Sequence, residues 1–460
     1  STSTSGTSNF IAGVNAGNSI TSGGNYNVVV GDEAGTAITT GDNNVAIGYA
    51  AGDAITTASN NTSVGYASMG ANTTGAGNTA LGTDALTTNT TANENVAIGR
   101  SALKLNTTGA SNCAVGYFAL DANTTASNNT AVGTKALTAN TTGASNTAVG
   151  YNAVAANTTG IQNTSIGGFA LASNTTAQGN TAIGFGTLYT NTTGASNTAV
   201  GLNALNLSTT ASNNTAVGYA AGNAVTTGVQ NTLIGGLAGD ALTDADSNVS
   251  MGYQSLSGDT LGSKSVAVGA FSLNVQNFTS ATDSLNTAVG YASGGAVTTG
   301  VQNTLIGGLA GDAITTASYN TAVGQNALGS TTTGLNNTAV GRTSLFANTT
   351  GTQNVAIGMD ALQQNTTGAN NTAVGRSALI ANTTGTTNTA VGVSALAANT
   401  TAASNTAIGM YSLTANTTGT GNTGLGFNSL NDNTTASNNT GLGYNVLAVN
   451  TTGANNTAVG

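Results

Sequence analysis

The sequence predicts an all-β protein built as a parallel β-solenoid, and two observations support this fold class. First, the string Asn-Thr-Ala-Val-Gly at 146–150 recurs with small substitutions, and its last glycine marks 27 copies from Gly13 to Gly460. Counted along the chain, 24 of the 26 intervals between these glycines equal 17, one equals 18 and one equals 21. Second, Asn, Thr and Gly dominate the repeat and are poor helix formers. A fixed short period over a whole chain is typical of a solenoid, in which each repeat stacks on its neighbours.

The 17-residue unit is too short for a helical hairpin, but it accommodates two short strands and two turns. The Asn-Thr-Ala-Val-Gly string predicts one strand, and the x-x-Ala-Leu segment that follows predicts the other. Asn-Thr-Thr-Gly, as at 191–194, has the composition of the longer turn. Each strand then pairs with its copy in the next coil, about 4.8 Å away.

The repeat predicts one continuous solenoid over residues 1–460, with an irregular first coil at 1–31 and a four-residue insertion within 269–290. The inserted coil contains Phe271, Phe278 and Asp283. It is interpreted either as a bulged loop that contacts a target or as a tolerated insertion. Because the chain begins at Ser1 without Met and closes in mid-repeat at Gly460, we expect a segment of a longer fibre or a chain whose ends join other copies.

Positions within the repeat are numbered from the Asn of the five-residue string. Position 4 is almost always Val or Ile, so it is predicted to face the core, and by strand alternation position 2 would share that face. Position 3 would then point away. It is Ala, Ser or Gly in most coils, Ile11, Val29, Leu233 or Leu305 in the others, and never charged, so it is expected to pack against copies of the same chain. The predicted core ladder is Ile47, Val64, Val132, Val149, Ile166, Ile183, Val200 and Val217.

Positions 9 and 12 covary. Most coils have an apolar residue at position 9 and Asn at position 12, as in Leu137 with Asn140. Seven coils instead have Gly at position 9 and an aliphatic residue at position 12, as in Gly311 with Ile314. The exchange keeps one large apolar side chain, which indicates volume compensation in a packed interior.

The composition excludes several function classes. The chain has no His, one Cys and six basic residues, and its net charge is −9. It therefore lacks the residues for imidazole or thiolate metal sites and for a disulfide framework, and it lacks the basic surface of a nucleic-acid binder. No apolar run is long enough for a membrane span. We expect no catalytic residues, no cofactor and no metal, and hence no enzyme.

Tyrosine is concentrated at position 6, which predicts an exposed row. This row is interpreted either as exposed aromatic rings that bind glycans or surfaces, or as surface residues that shield the turn. Its members are Tyr49, Tyr66, Tyr117, Tyr151, Tyr219, Tyr253, Tyr291 and Tyr444.

Other candidate sites have ordinary structural interpretations. Asn-x-Thr sequons, as at Asn123 and Asn157, would accept glycans, but a sugar on every coil would crowd a repeat of about 4.8 Å, so stacked turn asparagines are favoured. Acidic residues at 240, 244 and 246 could bind calcium weakly, or be solvated turn residues. Cys113 occupies a position-2 site and is interpreted as an isostere of Thr.

The strings Asn44–Gly48, Asn95–Gly99, Ser265–Gly269 and Asn354–Gly358 resemble the motif of YadA-like head repeats in trimeric autotransporter adhesins. Similar repeats occur in tail-fibre-like proteins of phages. The resemblance extends through essentially all coils. It implies a left-handed β-roll, a homotrimer around one axis, and attachment outside the cell or on a virion. The family repeat is shorter than the repeat of this chain, and Thr replaces Val at position 2 in most coils, so the cross-section and the trimer interface are expected to differ.

The predicted function is therefore a structural or adhesive extracellular fibre that gives reach and multivalent attachment. Its expected partners are copies of itself, with a host surface or glycan as a target. The alternative is an ice- or glycan-binding solenoid with an exposed Thr, Asn or Tyr face. Ice binding is disfavoured here because position 2, which carries most of the regular Thr, is predicted to be buried.

Overall fold

The computed structural model describes residues 6–460, and over these residues the protein is an all-β parallel solenoid of about 27 coils with a 17-residue period and no helix. Residues 1–5 of the predicted first coil lie outside the described residues. The chain divides into two compact units, 1–229 and 230–460. A single continuous solenoid over 1–460 stays a prediction.

The first unit has one short strand per coil, and from β1 to β13 successive strands pair in parallel. The strands of this unit are β1 (Phe10–Ala12), β2 (Val28–Val30), β3 (Val45–Ile47), β4 (Thr62–Val64), β5 (Thr79–Leu81), β6 (Val96–Ile98), β7 (Cys113–Val115), β8 (Thr130–Val132), β9 (Thr147–Val149), β10 (Thr164–Ile166), β11 (Thr181–Ile183), β12 (Thr198–Val200) and β13 (Thr215–Val217).

The second unit repeats this arrangement, and two additional short strands, β16 and β18, pair only with each other. The strands of this unit are β14 (Thr232–Ile234), β15 (Val249–Met251), β16 (Gly262–Ser263), β17 (Val266–Val268), β18 (Thr282–Asp283), β19 (Thr287–Val289), β20 (Thr304–Ile306), β21 (Thr321–Val323), β22 (Thr338–Val340), β23 (Val355–Ile357), β24 (Thr372–Val374), β25 (Thr389–Val391), β26 (Thr406–Ile408), β27 (Thr423–Leu425), β28 (Thr440–Leu442) and β29 (Thr457–Val459).

Strand pairing brings equivalent positions of successive coils together, as predicted. Val149 of β9 lies opposite Ile166 of β10, one full repeat later in the sequence. The predicted second strand at x-x-Ala-Leu is wrong, because positions 6–11 form a series of turns. Positions 7 and 9 have positive φ, as at Asn152 and Val154 (both 53°), and a left-handed residue cannot belong to an extended strand.

The predicted orientation of the strand is also wrong. Position 3 faces the interior, since Ala148 is fully buried, whereas Thr147 and Val149 on either side of it are accessible. The predicted core ladder therefore lies on the outer surface. Five of its members are at least 36% exposed, namely Ile47, Val132, Ile166, Ile183 and Val217, and Val64, Val149 and Val200 are partly exposed.

The physical reason is the narrow cross-section of the coil. The interior is already filled by the side chains of positions 1, 8, 9 and 12, which in the coil of β8 include the fully buried Leu137 and Asn140. Only a small side chain therefore fits at position 3 of such a coil. In β27, a Cβ on Gly424 would lie 2.5 Å from Ser412 Oγ and 3.4 Å from Leu413 Cγ.

Volume compensation between positions 9 and 12 is confirmed. In the coil of β20, a Cβ on Gly311 would lie 2.8 Å from Ile314 Cδ1 and 2.8 Å from Leu305 Cδ2. The isoleucine of position 12 and the leucine of position 3 thus occupy the space that a position-9 leucine fills elsewhere. Gly311 has φ of 57° and Leu328, its counterpart in the next coil, has φ of 55°, so the backbone is the same in both coil types.

Buried asparagines form two amide ladders along the solenoid. At position 12, Asn365 Nδ2 donates to Asn348 Oδ1 at 2.9 Å and to the Gly368 carbonyl at 3.0 Å. At position 1, Asn388 Nδ2 donates to the Ala402 carbonyl at 2.8 Å. These bonds satisfy the turn carbonyls that face the interior, which is why Asn recurs at two buried positions.

The 21-residue coil is held together by a buried polar cluster. Asp259, at position 12 of the preceding coil, accepts hydrogen bonds from the Gly262 amide at 3.0 Å and from Gln276 Nε2, at position 12 of the 21-residue coil, at 2.7 Å. Phe278, from the inserted segment, is only 5% exposed and packs beside Gly262. Lys264 forms an ion pair with Asp283 across β16 and β18. The insertion is therefore anchored to the coil by both polar and apolar contacts.

Candidate binding surfaces

In each unit the three-residue strands form a sheet whose outer face carries two parallel rows of side chains, one at position 2 and one at position 4. We call this surface the Thr/Val face. No charged residue occurs at either position in any coil. In β8–β13 position 2 is Thr in six successive coils, and position 4 is Val or Ile throughout. Because pairing is in register, like residues stack at the strand spacing of about 4.8 Å.

The sequence contains a signal that would have oriented this face. Large residues at position 3 are Ile11, Val29, Leu233 and Leu305, and all four occur in coils with Gly at position 9. A side chain whose size depends on position 9 must lie beside position 9, hence inside the coil. This covariation marks position 3 as the interior position and leaves positions 2 and 4 for the surface.

The eight tyrosines of the predicted surface row are all exposed, from 41% at Tyr117 to 69% at Tyr444. They do not form one continuous stack. Tyr49 and Tyr66 stack with centroids 5.5 Å apart, and Arg100 lies over the Tyr117 ring at 5.7 Å. A contact role for the row stays a prediction.

Three clusters combine aromatic residues at position 6 with aromatic residues at position 7. Tyr151, Phe169 and Phe185 form one, with neighbouring centroids 5.2 and 5.7 Å apart. The second unit contains two more clusters, which are Tyr253–Phe271–Tyr291 and Tyr411–Phe427–Tyr444.

The other candidate residues have structural roles. Asn123 and Asn157 of the sequons are fully buried, and Asn123 Nδ2 donates to Asn106 Oδ1 at 2.9 Å and to the Ala126 carbonyl at 3.0 Å. Within residues 6–460, no three acidic, His or Cys side chains lie close enough to hold a metal ion, so the acidic residues at 240–246 do not form such a group. Cys113 is partly buried and takes its place in the position-2 row between Val96 and Thr130.

Three aspartate carboxyl groups have a pKa above its ordinary value. Asp53, Asp240 and Asp312 each follow the position-9 Gly of a glycine-type coil, our name for the seven coils with Gly at that position. Burial raises the pKa of each above 3.8 because it disfavours the charged form. Hydrogen bonds to the backbone partly oppose this effect. One buried carboxylate oxygen in each of Asp53 and Asp240 has no hydrogen-bond partner among the described residues.

In comparisons with known proteins, no family model matches the chain and no curated protein is significantly similar to it. The resemblance to YadA-like head repeats stays a prediction. In the described part of the chain, 6–460, no helix has the length and apolar character needed to cross a bilayer.

Proposed function

We propose that this protein is a non-enzymatic structural fibre component whose copies associate through the Thr/Val face. The repeat solenoid fits a fibre-like role, and the observation that carries the proposal is the uncharged, partly apolar outer face of the sheet. Interface cores are depleted of charged residues and enriched in apolar ones. In the first unit, Ile47 and Ile166 are 38% and 42% exposed, which costs hydration free energy that a partner would recover.

The extent of the face suits a specific interface. A three-residue strand is about 10 Å long and rungs are about 4.8 Å apart, so thirteen rungs cover on the order of 600 Å². A specific interface buries about 800 Å² per partner. The face of one unit therefore approaches the required area. The partner surface predicted from the sequence, position 3, does not serve because it is buried.

We further propose, on the resemblance, that the assembly is a homotrimer on a cell surface or virion that provides reach and multivalent attachment. A chain this poor in charge gains solubility when its apolar outer rows are covered by identical rows. The trimer would place three Thr/Val faces around a common axis.

The test is the particle mass in solution, measured by sedimentation equilibrium. Wild type is expected near three chains of 44.2 kDa. The variant Val149→Glu/Ile166→Glu/Ile183→Glu puts three charges on the Thr/Val face and is expected to be monomeric. The matched control Thr159→Glu/Thr176→Glu/Thr193→Glu puts the same charges on exposed residues of the longer turn in the same coils and should stay assembled. A monomeric wild type, or equal dissociation of both variants, would contradict the proposal.

A second candidate function, ice binding, uses the same face. The objection from burial no longer holds, because Thr at position 2 is accessible in a regular row, as in β8–β13. Rows of Thr and Val side chains at repeat distances of about 4.8 Å and about 6.7 Å give a flat, regular surface. Thermal hysteresis by a monomeric wild type would favour this function. If the wild-type chain assembles and shows no thermal hysteresis, ice binding is excluded, because a Thr/Val face that is covered by another copy cannot also contact ice.

A further inference from the structure

A pocket interrupts the regular turn surface of the first unit. It has a volume of about 330 Å³ and is lined by Phe169, Phe185, Gly186, Tyr189, Asn203 and Asn206. Its origin is a single departure from the repeat. Position 7 carries a side chain in every other complete coil, but here it is Gly186. The missing side chain leaves a gap one coil wide between Phe169 and Asn203, the position-7 residues of the coils before and after it.

Aromatic rings form one side of this pocket. Phe169 is the centre, with the Phe185 ring 5.7 Å away at 80° and the Tyr189 ring 6.1 Å away at 73°. The Phe185 and Tyr189 side chains are 57% and 40% exposed. Ring surface is therefore presented to solvent at steep angles around a recess, rather than packed away.

Two carboxamides also line the pocket. Asn206 Nδ2 donates to the Gly186 carbonyl at 2.6 Å, which fixes the orientation of the amide. The Asn203 side chain lies directly over Gly186, because a Cβ added there would be 2.6 Å from Asn203 Oδ1. Exposed aromatic rings together with oriented amides are the combination expected in a small-molecule site.

The surroundings are uncharged. Between Lys135 and Asp240 the chain has no Asp, Glu, Lys or Arg, and the pocket lies near the middle of that stretch. An ionic ligand would find no counter-charge on these coils. A purely apolar ligand would leave much of its surface wet in such an open recess and would leave the amides unused.

We propose that this pocket binds a neutral sugar. The apolar C–H face of a pyranose ring would pack on Phe185 and Tyr189, and its hydroxyls would hydrogen-bond to the Asn203 and Asn206 carboxamides. The volume is at the lower end of the range for ligand pockets, which suits one or two sugar units. The site belongs to the turns at positions 6–10 and not to the Thr/Val face. Sugar binding therefore does not depend on self-association of the chain.

The test is saturation-transfer NMR and calorimetric titration of the full chain with lactose, maltose, cellobiose and N,N′-diacetylchitobiose, and with glucuronate as the charged probe. At least one neutral disaccharide is expected to bind through its ring C–H protons, and glucuronate is expected not to bind. The absence of transfer to every neutral probe, or equal binding of glucuronate, would overturn the proposal.

Matched variants locate the site. Phe185→Ser should weaken binding about tenfold, because it removes the exposed ring. Tyr219→Ser is the control, since Tyr219 is also at position 6 and also 57% exposed but lies outside the pocket. An equal loss of affinity in both variants would overturn the assignment.

Gly186→Asn fills the pocket without removing a ring. The substitution introduces a residue that is common at position 7. Elsewhere in the chain, Asn428 and Asn445 occupy this position in two successive coils, and Asn428 Nδ2 donates to Asn445 Oδ1 at 2.9 Å, so stacked asparagines are accommodated. The left-handed φ of 64° at Gly186 also occurs at asparagines of this position. The new Cβ requires the Asn203 carboxamide to rotate away from its present place over Gly186, which only a side-chain end has to do. We expect a melting temperature close to that of wild type and lost sugar binding. Retained affinity in this variant would show that the ligand lies elsewhere.

Discussion

Two neighbouring coils of the second unit, 303–319 and 320–336, enclose their interiors with different residues on the same backbone. The first uses Leu305, Gly311 and Ile314 at positions 3, 9 and 12, and the second uses Ala322, Leu328 and Thr331. Gly suits the left-handed conformation of position 9, whereas Leu there costs about 1–2 kcal/mol. We call coils with Leu at position 9 leucine-type coils. The leucine-type coil accepts this strain because its leucine fills the space that two larger side chains fill in the glycine-type coil. The quantity kept constant between coils is therefore interior volume and not residue identity.

The largest loss of stability is expected when the buried leucine at position 9 of a leucine-type coil is removed. Leu328→Gly relieves backbone strain but removes a fully buried side chain, so the free energy of unfolding should fall by about 2–5 kcal/mol in chemical denaturation. Ala322→Leu/Leu328→Gly/Thr331→Ile converts the coil to the glycine type and should recover most of the loss. If the triple variant were no more stable than the single one, volume compensation would not explain the two coil types.

The second effect concerns the amide ladder, which leucine-type coils have at position 12 and glycine-type coils lack. Asn365→Ala leaves Asn348 Oδ1 without the 2.9 Å donor and removes the acceptor of Asn382 Nδ2. The free energy of unfolding should fall by about 1–3 kcal/mol. Thr367→Ala, at an exposed site two residues later, should change it little. Equal stabilities of the two variants would argue against a stabilising ladder.

The third test separates the two faces of one strand. Ala322→Leu without a compensating change at position 9 should overpack the leucine-type coil and cost about 1–3 kcal/mol. Val323→Leu enlarges the next residue on the Thr/Val face, where Leu81 and Leu425 occur naturally, and should change stability by about 0.5 kcal/mol or less. Denaturation of both variants under dissociating conditions gives the comparison. A larger loss for Val323→Leu would reverse the assigned orientation.

The smallest effect is a pH dependence specific to glycine-type coils. Because the folded pKa of Asp53, Asp240 and Asp312 is raised, the folded state holds these protons to higher pH than the unfolded chain. Their contribution is favourable below pH 3.8 and is lost as pH rises through the folded pKa. The triple Asp→Asn variant should melt higher than wild type at neutral pH and similarly at acid pH. A difference of the same size at both pH values would exclude titration as the cause.

The period, the parallel in-register stacking and the exchange between positions 9 and 12 could be predicted from the sequence, because each depends only on spacing and side-chain volume. The orientation of the strand could not be predicted from hydrophobicity alone. Val149 is more apolar than Ala148, yet Ala148 is the interior residue because the coil is too narrow for both a valine at position 3 and the buried aliphatic residue of position 9, here Val154. The pocket at Gly186 was missed because it arises from an absent side chain, which only a position-by-position comparison of coils reveals.

The in-register pairing also bears on how such a chain can change length. Paired residues of successive coils are 17 positions apart in the sequence, except at the two irregular intervals. Each coil therefore contacts little beyond its immediate neighbours. Duplication or loss of one seventeen-codon unit would leave every remaining contact with an equivalent partner. Gene slippage can therefore lengthen or shorten this protein without redesigning its cross-section. The two coil types still restrict the change, because the interior side chains of adjoining coils must fit each other.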